Sequence, residues 1–301
     1  MRVGRHARFA DARPCSEDLA NLNLLSLYRR RRQGIPRQQY TRDYFLSDRC
    51  EGFREFRAEH GLSYVKSRLV SRIEPKPDER VLEIGCGRGE VLRACADRGA
   101  MVVGLDYSRE AVRLSRETCA GRASLVQADA SALPFRSGAF RKVFLGDVLE
   151  HLTREQAERM VGEAYRALEP RGRMIVHTSP NVLFVRLVFP WVLIALAALG
   201  RLRLVGLLID QYRTIREFHV REYSGGRLRR LFRGSAFGRA WVECDPDVLR
   251  GGKSRYTESL AGSSWARGAA RLAAREPWVR LVSNDLWAEA EKRPVASDDS
   301  G

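Results

Sequence analysis

The sequence has almost no lysine. Lys66, Lys76, Lys142, Lys253 and Lys292 are the only five among 53 basic residues, so 48 are arginine. These arginines are scattered through every segment with no dense stripe. The net charge of +16 therefore reads mainly as the coding habit of a GC-rich genome, with a dedicated polyanion site left open. The six cysteines (Cys15, Cys50, Cys86, Cys95, Cys119, Cys244) include no C-x-x-C pair and no zinc spacing, which argues against a zinc module or a disulfide scaffold. Reduced thiols in a cytosol suit them. Internal repeats and low-complexity tracts are missing, which excludes solenoids and collagen-like fibres. Residues 1–14 are basic but lack the apolar core of a secretory signal, so a cytoplasmic protein is expected. The longest uncharged apolar run, residues 187–199, falls short of the ~20 residues that span a bilayer.

What is present is enough to fold: 301 residues, 44% hydrophobic and 30% charged, suit one α/β domain with sizeable additions. Residues 1–43 read as an Arg-rich, loosely ordered arm with one short helix near 18–32, and residues 293–301 as a disordered tail. From 44 to 73 apolar residues recur at three- to four-residue steps and predict amphipathic helices. Beyond them, short apolar runs alternate with helical patterns. Strands are expected at 81–85, 101–106, 124–129, 142–147 and 173–178, with helices near 88–98, 108–119 and 153–168. Thr153 and Gln156 form a capping-box pattern for the last of these. A helix near 224–233, a strand at 240–244, a helix near 263–275 and a strand at 285–291 follow. Alternating strands and helices imply βαβ units and a mostly parallel sheet.

The strongest chemical signal is VLEIGCGRGE, a strand running into Gly85, Gly87 and Gly89 with a helix directly after. Such glycines let backbone approach a ligand, and the helix start presents free N–H groups. The dinucleotide fingerprint would place its third glycine at position 90, which is Glu90, so the pattern is G-x-G-x-G. Asp106 ends the second strand, where a carboxylate can accept both hydroxyls of a ribose, and Asp129 ends the third.

These residues, with GLDYS (104–108), QADASALPF (127–135), FRKVFLGDVLEHL (140–152) and LEPRGRMIVHTSPN (168–181), resemble a class I S-adenosylmethionine-dependent methyltransferase. The resemblance covers residues 60–292. It implies a Rossmann-like, doubly wound sheet of seven strands whose last pair is an antiparallel edge, within a domain at 44–292. It also implies S-adenosylmethionine as cofactor, held by Glu83, Gly85, Cys86, Gly87 and Gly89. Asp106 and Tyr107 would lie at the ribose, Asp129 and the Ala130 amide at the adenine, and Asp147 beside the methyl group.

On the acceptor side, Asp147, Glu150 and His151 lie past the fourth strand, and His219 lies in EFHVREYS. This set resembles the ligands of ubiquinone-pathway O-methyltransferases and small-RNA 2′-O-methyltransferases, which implies a divalent metal such as Mg²⁺ at Asp147, Glu150, His151 and His219. Three readings stay open: metal ligation, a metal-free base or substrate contact at His151, His219 or Asp147, and a structural role. His177 is expected to be a core histidine, and Tyr40 and Tyr44 to pack or to form a lid.

The apolar insert at 182–209 contains Arg186, Pro190, Arg201 and Arg203, and a single crossing would separate strands of one sheet. It is read as a helical hairpin or in-plane helix on a membrane surface, a lid around an apolar acceptor, or a buried segment. The expected function is methyl transfer to an oxygen, less readily to carbon or nitrogen, of a small or lipid-linked acceptor, in the cytoplasm and peripherally on the inner face of the cell membrane. The alternatives are RNA 2′-O-methylation, for which no nucleic-acid module is visible, and a catalytically inactive cofactor-binding scaffold.

Overall fold

From residue 80 onward strands and helices alternate as the apolar periodicity predicts, in a computed structural model that describes residues 34–58, 61–245, 275 and 278–294. The strands are β1 (Arg80–Ile84), β2 (Met101–Asp106), β3 (Ala123–Gln127), β4 (Phe140–Gly146), β5 (Leu168–Thr178), β6 (Trp241–Cys244) and β7 (Leu286–Glu291). They form one sheet in the order β3-β2-β1-β4-β5-β7-β6. β1 to β5 pair in parallel, and β7 runs antiparallel between β5 and β6. The strand order reverses between β1 and β4, and the crevice beyond the carboxyl ends of such a switch point is where open α/β sheets bind ligands.

The helices are α1 (Arg42–Phe45), α2 (Phe53–Arg57), α3 (Tyr64–Ile73), α4 (Glu90–Ala96), α5 (Arg109–Cys119), α6 (Arg154–Ala167), α7 (Phe189–Ala198), α8 (Leu202–Phe218), α9 (Gly225–Arg233) and α10 (Val279–Val282). Side-chain oxygens of Ser63, Ser108, Thr153 and Ser224 accept first-turn N–H groups of α3, α5, α6 and α9. The Thr153–Gln156 capping box forms as predicted.

Successive residues of the central strands point to opposite faces. Leu82, Val143, Leu145 and Val176 join the cluster under α6 and α9, while Val81, Phe144 and Ile175 join the one under α3 and α4. Both faces are therefore covered, as a parallel sheet requires.

Several boundaries differ from expectation. The pattern over 44–73 breaks into three short helices, with Gly52 in the left-handed region at the start of α2. β3 stops at Gln127, so Asp129 sits in the turn beyond it, and β5 begins at Leu168 rather than 173. The helices expected near 18–32 and near 263–275, apart from Arg275, and the tail beyond 294 lie outside the described residues.

The apolar insert is a helical hairpin. A π-helical turn at Phe184–Val188 leads into α7, the chain turns at Gly200, and α8 continues to Phe218, well past the expected end at 209. Val185, Phe189 and Leu193 pack on Val205, Ile209 and Tyr212 in a small core separate from that of the sheet. Among the described residues no helix is long and apolar enough to cross a membrane.

Candidate active site

The glycine loop is fastened to β2, because the Gly85 and Cys86 amides both donate to the Leu105 carbonyl, at 2.7 and 3.0 Å. Gly85 has φ +75°, and a Cβ there would stand 2.3 Å from Val148 Cγ2, so packing alone demands glycine. Gly87 differs. It has φ +52°, but a Cβ would meet nothing nearer than the Phe45 ring at 3.9 Å, which leaves room for a ligand above the loop. Gly89, also at positive φ, caps α4. The Cys86 side chain is buried and accepts from Ser115 Oγ at 3.3 Å, so it faces away from that space and only its backbone can serve a ligand.

Asp106 receives the Gly87 amide on Oδ2 at 3.0 Å and the Ser108 amide on Oδ1 at 2.8 Å, while burial pushes its pKa up to about 6. Glu83 is buried, which drives its pKa well up, and one of its carboxylate oxygens has no hydrogen-bond partner. Tyr107 lies under the Arg37 guanidinium, 4.3 Å from the ring centre. Asp129 Oδ1 accepts from the Ser131 amide and hydroxyl at 2.8 and 2.7 Å, with half-buried Ala130 between them in sequence. A loop with room over it, Asp106 and Asp129 thus line one sheet edge in sequence order.

Arg88 is a residue the sequence reading missed. Its guanidinium is fully buried inside the glycine loop, bonded to Glu90 Oε1 at 2.9 Å through Nε, to the Phe45 carbonyl at 2.7 Å and to the Glu51 carbonyl at 2.5 Å. Lys66 Nζ reaches the same Glu90 oxygen at 2.6 Å. Burial opposes the Glu90 charge, but Lys66 and Arg88 outweigh it and hold the pKa below the usual carboxylate value. The N-terminal cover is therefore anchored to the loop through a buried cation. The available signal was an arginine inside a glycine loop, two residues from a glutamate.

Past β4, three of the four expected acceptor-side residues converge. One ligand atom each from Glu150, His151 and His219 lies within 4.8 Å of the others. Asp147 does not join them. Its Oδ1 stands 3.1 Å from His177 Nδ1 and accepts from Ser179 Oγ at 3.2 Å. Burial works against the Asp147 charge, yet His177 beside it holds the pKa at about 2. His177 is the expected core histidine, fully buried, with Nε2 at 3.0 Å from Asp285 Oδ1 and its ring against Trp287.

Glu150 is positioned from two sides. Its Oε2 accepts from Thr178 Oγ1 at 2.7 Å, and its carbonyl accepts the Val220 and Arg221 amides at 2.8 and 3.0 Å. Its other carboxylate oxygen is buried without a partner, as is His219 Nδ1. Burial, with Asp147 nearby, pushes the Glu150 pKa well up. Burial also lowers the pKa of His151, and that of His219 strongly, so both imidazoles are neutral at pH 7. His151 Nδ1 lies 2.6 Å from the Phe218 carbonyl, which can only accept, so Nδ1 carries the proton and Nε2 keeps its lone pair. Tyr40 and Tyr44 close this side by packing. Tyr40 meets the His151 ring edge-on at 5.9 Å, and Tyr44 lies 4.5 Å from the Phe218 ring.

Residues 81–172 match the profile of the methyltransferase-domain family. The matched segment carries a methyltransferase domain of the class I S-adenosylmethionine-dependent type. A demethylmenaquinone methyltransferase of Thermus thermophilus is 32% identical over 120 residues, covering 38% of this chain and 54% of that protein. A ubiquinone biosynthesis O-methyltransferase of Xylella fastidiosa is 29% identical over 128 residues, 41% of this chain and 51% of that protein. The chain thus spans about half the length of the curated relatives it matches. Among solved structures, a methyltransferase in complex with the Haloferax volcanii Trm112 activator superposes with TM-score 0.56 at 17% identity, over 84% of this chain and 97% of that one. A Haemonchus contortus phosphoethanolamine N-methyltransferase, crystallised with S-adenosylhomocysteine, gives 0.52 at 18%, over 84% and 60%. At that identity the likeness concerns the fold.

Proposed function

We propose that this chain transfers the methyl group of S-adenosylmethionine to a hydroxyl oxygen of an acceptor with an apolar portion. The observation that carries the reading is the His151 imidazole, neutral, fixed in its Nδ1–H tautomer by Phe218, and placed with Glu150 and His219 just beyond β4. The cofactor supplies a methyl already activated on a sulfonium. What remains for the protein is alignment and removal of one proton. The methionine portion fits over Gly85–Gly89, where Gly87 leaves space and Glu83 has an unpartnered oxygen for an ammonium group. Ionised Asp106 accepts from the ribose hydroxyls, Tyr107 lies beside them, and Asp129 with the Ala130 amide reads the adenine. With the cofactor bound, His151 Nε2 would take the proton of the acceptor hydroxyl as the methyl group is transferred.

Glu150, His151 and His219 also fit a divalent cation, since one ligand atom of each lies within 4.8 Å of the others, and Glu150 Oε1 and His219 Nδ1 are buried without a partner. There a cation would lower the pKa of a bound hydroxyl. Two imidazoles and one carboxylate suit a first-row transition ion better than the Mg²⁺ that the resemblance suggests. Asp147 helps by engaging His177 rather than the cation. The demethylmenaquinone methyltransferase and the ubiquinone biosynthesis O-methyltransferase among the relatives support an apolar acceptor.

The test is transfer of label from S-adenosylmethionine into a cell extract split into lipid, RNA, protein and polar pools, with and without EDTA. Label in the lipid pool that disappears in His151→Gln supports the reading, and loss with EDTA adds the cation. Label confined to RNA overturns the choice of acceptor.

A further inference from the structure

The α7–α8 hairpin presents a surface that its own core does not explain. A helix apolar around its whole circumference is normally buried on all sides. α7 is packed on one side only: Phe189 and Leu193 face α8, while Leu187, Trp191 and Ile194 are 53%, 70% and 57% exposed. These three recur at four- and three-residue steps, with exposed Ala195 and Ala198 four residues on from Trp191 and Ile194, so they make one face. Leu199, Leu202 and Leu207 extend it across the turn, and six of the nine large apolar residues exposed among the described residues lie here. A contiguous apolar patch of this kind marks an interaction surface.

The charges around it select the occupant. Residues 182–209 contain Arg186, Arg201 and Arg203 and no acidic residue. All three arginines are exposed, and their guanidiniums have no ion pair or hydrogen bond among the described residues. A second copy docked on this face would bring six guanidiniums together, and the carboxylate that follows the run, Asp210, is already paired with Arg213 at 3.5 Å. An anionic lipid surface answers all three, with arginines at the phosphates, the exposed indole of Trp191 at the headgroup level and Leu187 and Ile194 in the acyl boundary.

The hairpin is also rooted at the site. Its first strand-side link is Val182 N to the Tyr223 carbonyl at 2.7 Å, and its exit holds His151 through Phe218 and Glu150 through Val220. We infer that the hairpin docks the enzyme in plane on an anionic bilayer, with the acceptor-side cluster at the lipid surface, where an apolar acceptor resides. The docking rests on the hairpin alone; the orientation of the acceptor rests on the function proposed above.

The test is sedimentation of the full chain with phosphatidylcholine vesicles, with and without phosphatidylglycerol, in the absence of cofactor and acceptor. Binding is expected only with the anionic lipid. Trp191→Ser/Ile194→Ser is expected to weaken it at least about tenfold, and Arg201→Gln/Arg203→Gln roughly thirtyfold. Both variants should melt as wild type does and bind S-adenosylhomocysteine equally, because the substituted side chains are exposed. Binding unchanged in Trp191→Ser/Ile194→Ser would overturn the inference in favour of scattered arginines. Absence of vesicle binding would overturn it as well, and a dimer that the same variant dissociates would name a second copy as the occupant. His151→Gln should bind vesicles like wild type, so failure of the chemistry and failure of docking are read separately.

Discussion

Replacing Arg88 with methionine tests whether the N-terminal cover is held by the cofactor loop. The side chain is of similar length, so the space stays filled and the lost interactions are the polar ones. Glu90 keeps Lys66 at 2.6 Å, so no carboxylate is left alone in the interior. The Phe45 carbonyl loses a charged donor at 2.7 Å and lies on a buried residue, whereas Glu51 is exposed and water can replace its partner. A hydrogen bond from a charged group contributes about 1.5–3 kcal/mol, and an unsatisfied buried carbonyl costs about 1–3. Allowing for overlap between the two, the loss is about 3 kcal/mol. For a domain of this size that lowers Tm by about 6–12 °C. The assay is thermal unfolding together with limited trypsin digestion, following cleavage at Arg42, Arg49, Arg54 and Arg57. Arg88→Met should melt earlier and be cut faster at these four sites, with S-adenosylhomocysteine affinity reduced because Phe45 lies beside Gly87. A Tm within about 2 °C of wild type would refute the energetic argument, and an earlier melt with unchanged cleavage would refute the claim that Arg88 anchors the cover.

Gly85→Ala and Gly87→Ala should separate packing from ligand space. The first forces Val148 aside and should lose several kcal/mol in urea unfolding, whereas the second should cost only about 1 kcal/mol for its positive φ while weakening S-adenosylhomocysteine binding by calorimetry. Because burial raises Asp106 to about 6, above its ordinary 3.8, its protonated form favours the folded apo chain, and that stability is lost as pH rises from about 4 through 6. Cofactor affinity runs the other way, since the ionised carboxylate accepts ribose hydroxyls. It should fall about tenfold per unit below pH 6, and Asp106→Asn should flatten the profile. His151→Gln should reduce transfer by about 10²-fold or more with cofactor affinity unchanged, and equal activity would remove His151 as the base.

The elements legible in the sequence were those whose signals are local. The helix starts capped by Ser108, Thr153 and Ser224 were readable, as was the strand alternation that sends Val143 and Phe144 to opposite faces. The glycine loop and the two carboxylates were readable because each lies at or just past the end of a strand of one parallel sheet, and parallel strands bring their carboxyl ends to one edge. Arg88 was not readable, because its partners lie 43 and 37 residues away. The extent of the hairpin was missed for a different reason. The apolar run ends near 209, but α8 continues through polar residues to Phe218.

The displacement of Asp147 from the acceptor-side cluster shows how far spacing can carry a ligand argument. D-x-x-E-H places three of the four candidate groups within a few residues, but side-chain direction there depends on the backbone leaving β4. Asp147 follows Gly146 at φ +54°, with its amide bonded to the His177 carbonyl at 3.2 Å, which turns its side chain along β5. Glu150 and His151 fall in the 3₁₀ turn Leu149–His151, which turns the other way, toward Thr178 and Phe218. A buried histidine between two carboxylates is then what Asp147 serves: His177 bridges the ends of β4 and β7 through Asp147 and Asp285, and Thr178, next along the strand, holds Glu150. Burial opposes the charge on His177, but the two carboxylates outweigh it and keep the imidazole protonated above its usual pKa. Asp147 therefore shapes the acceptor side through the strand that carries Thr178. Substituting Asp147 with asparagine should move Glu150 and loosen the β4–β5 edge rather than remove a ligand, a distinction that cofactor-independent melting and cation titration of the same variant would resolve.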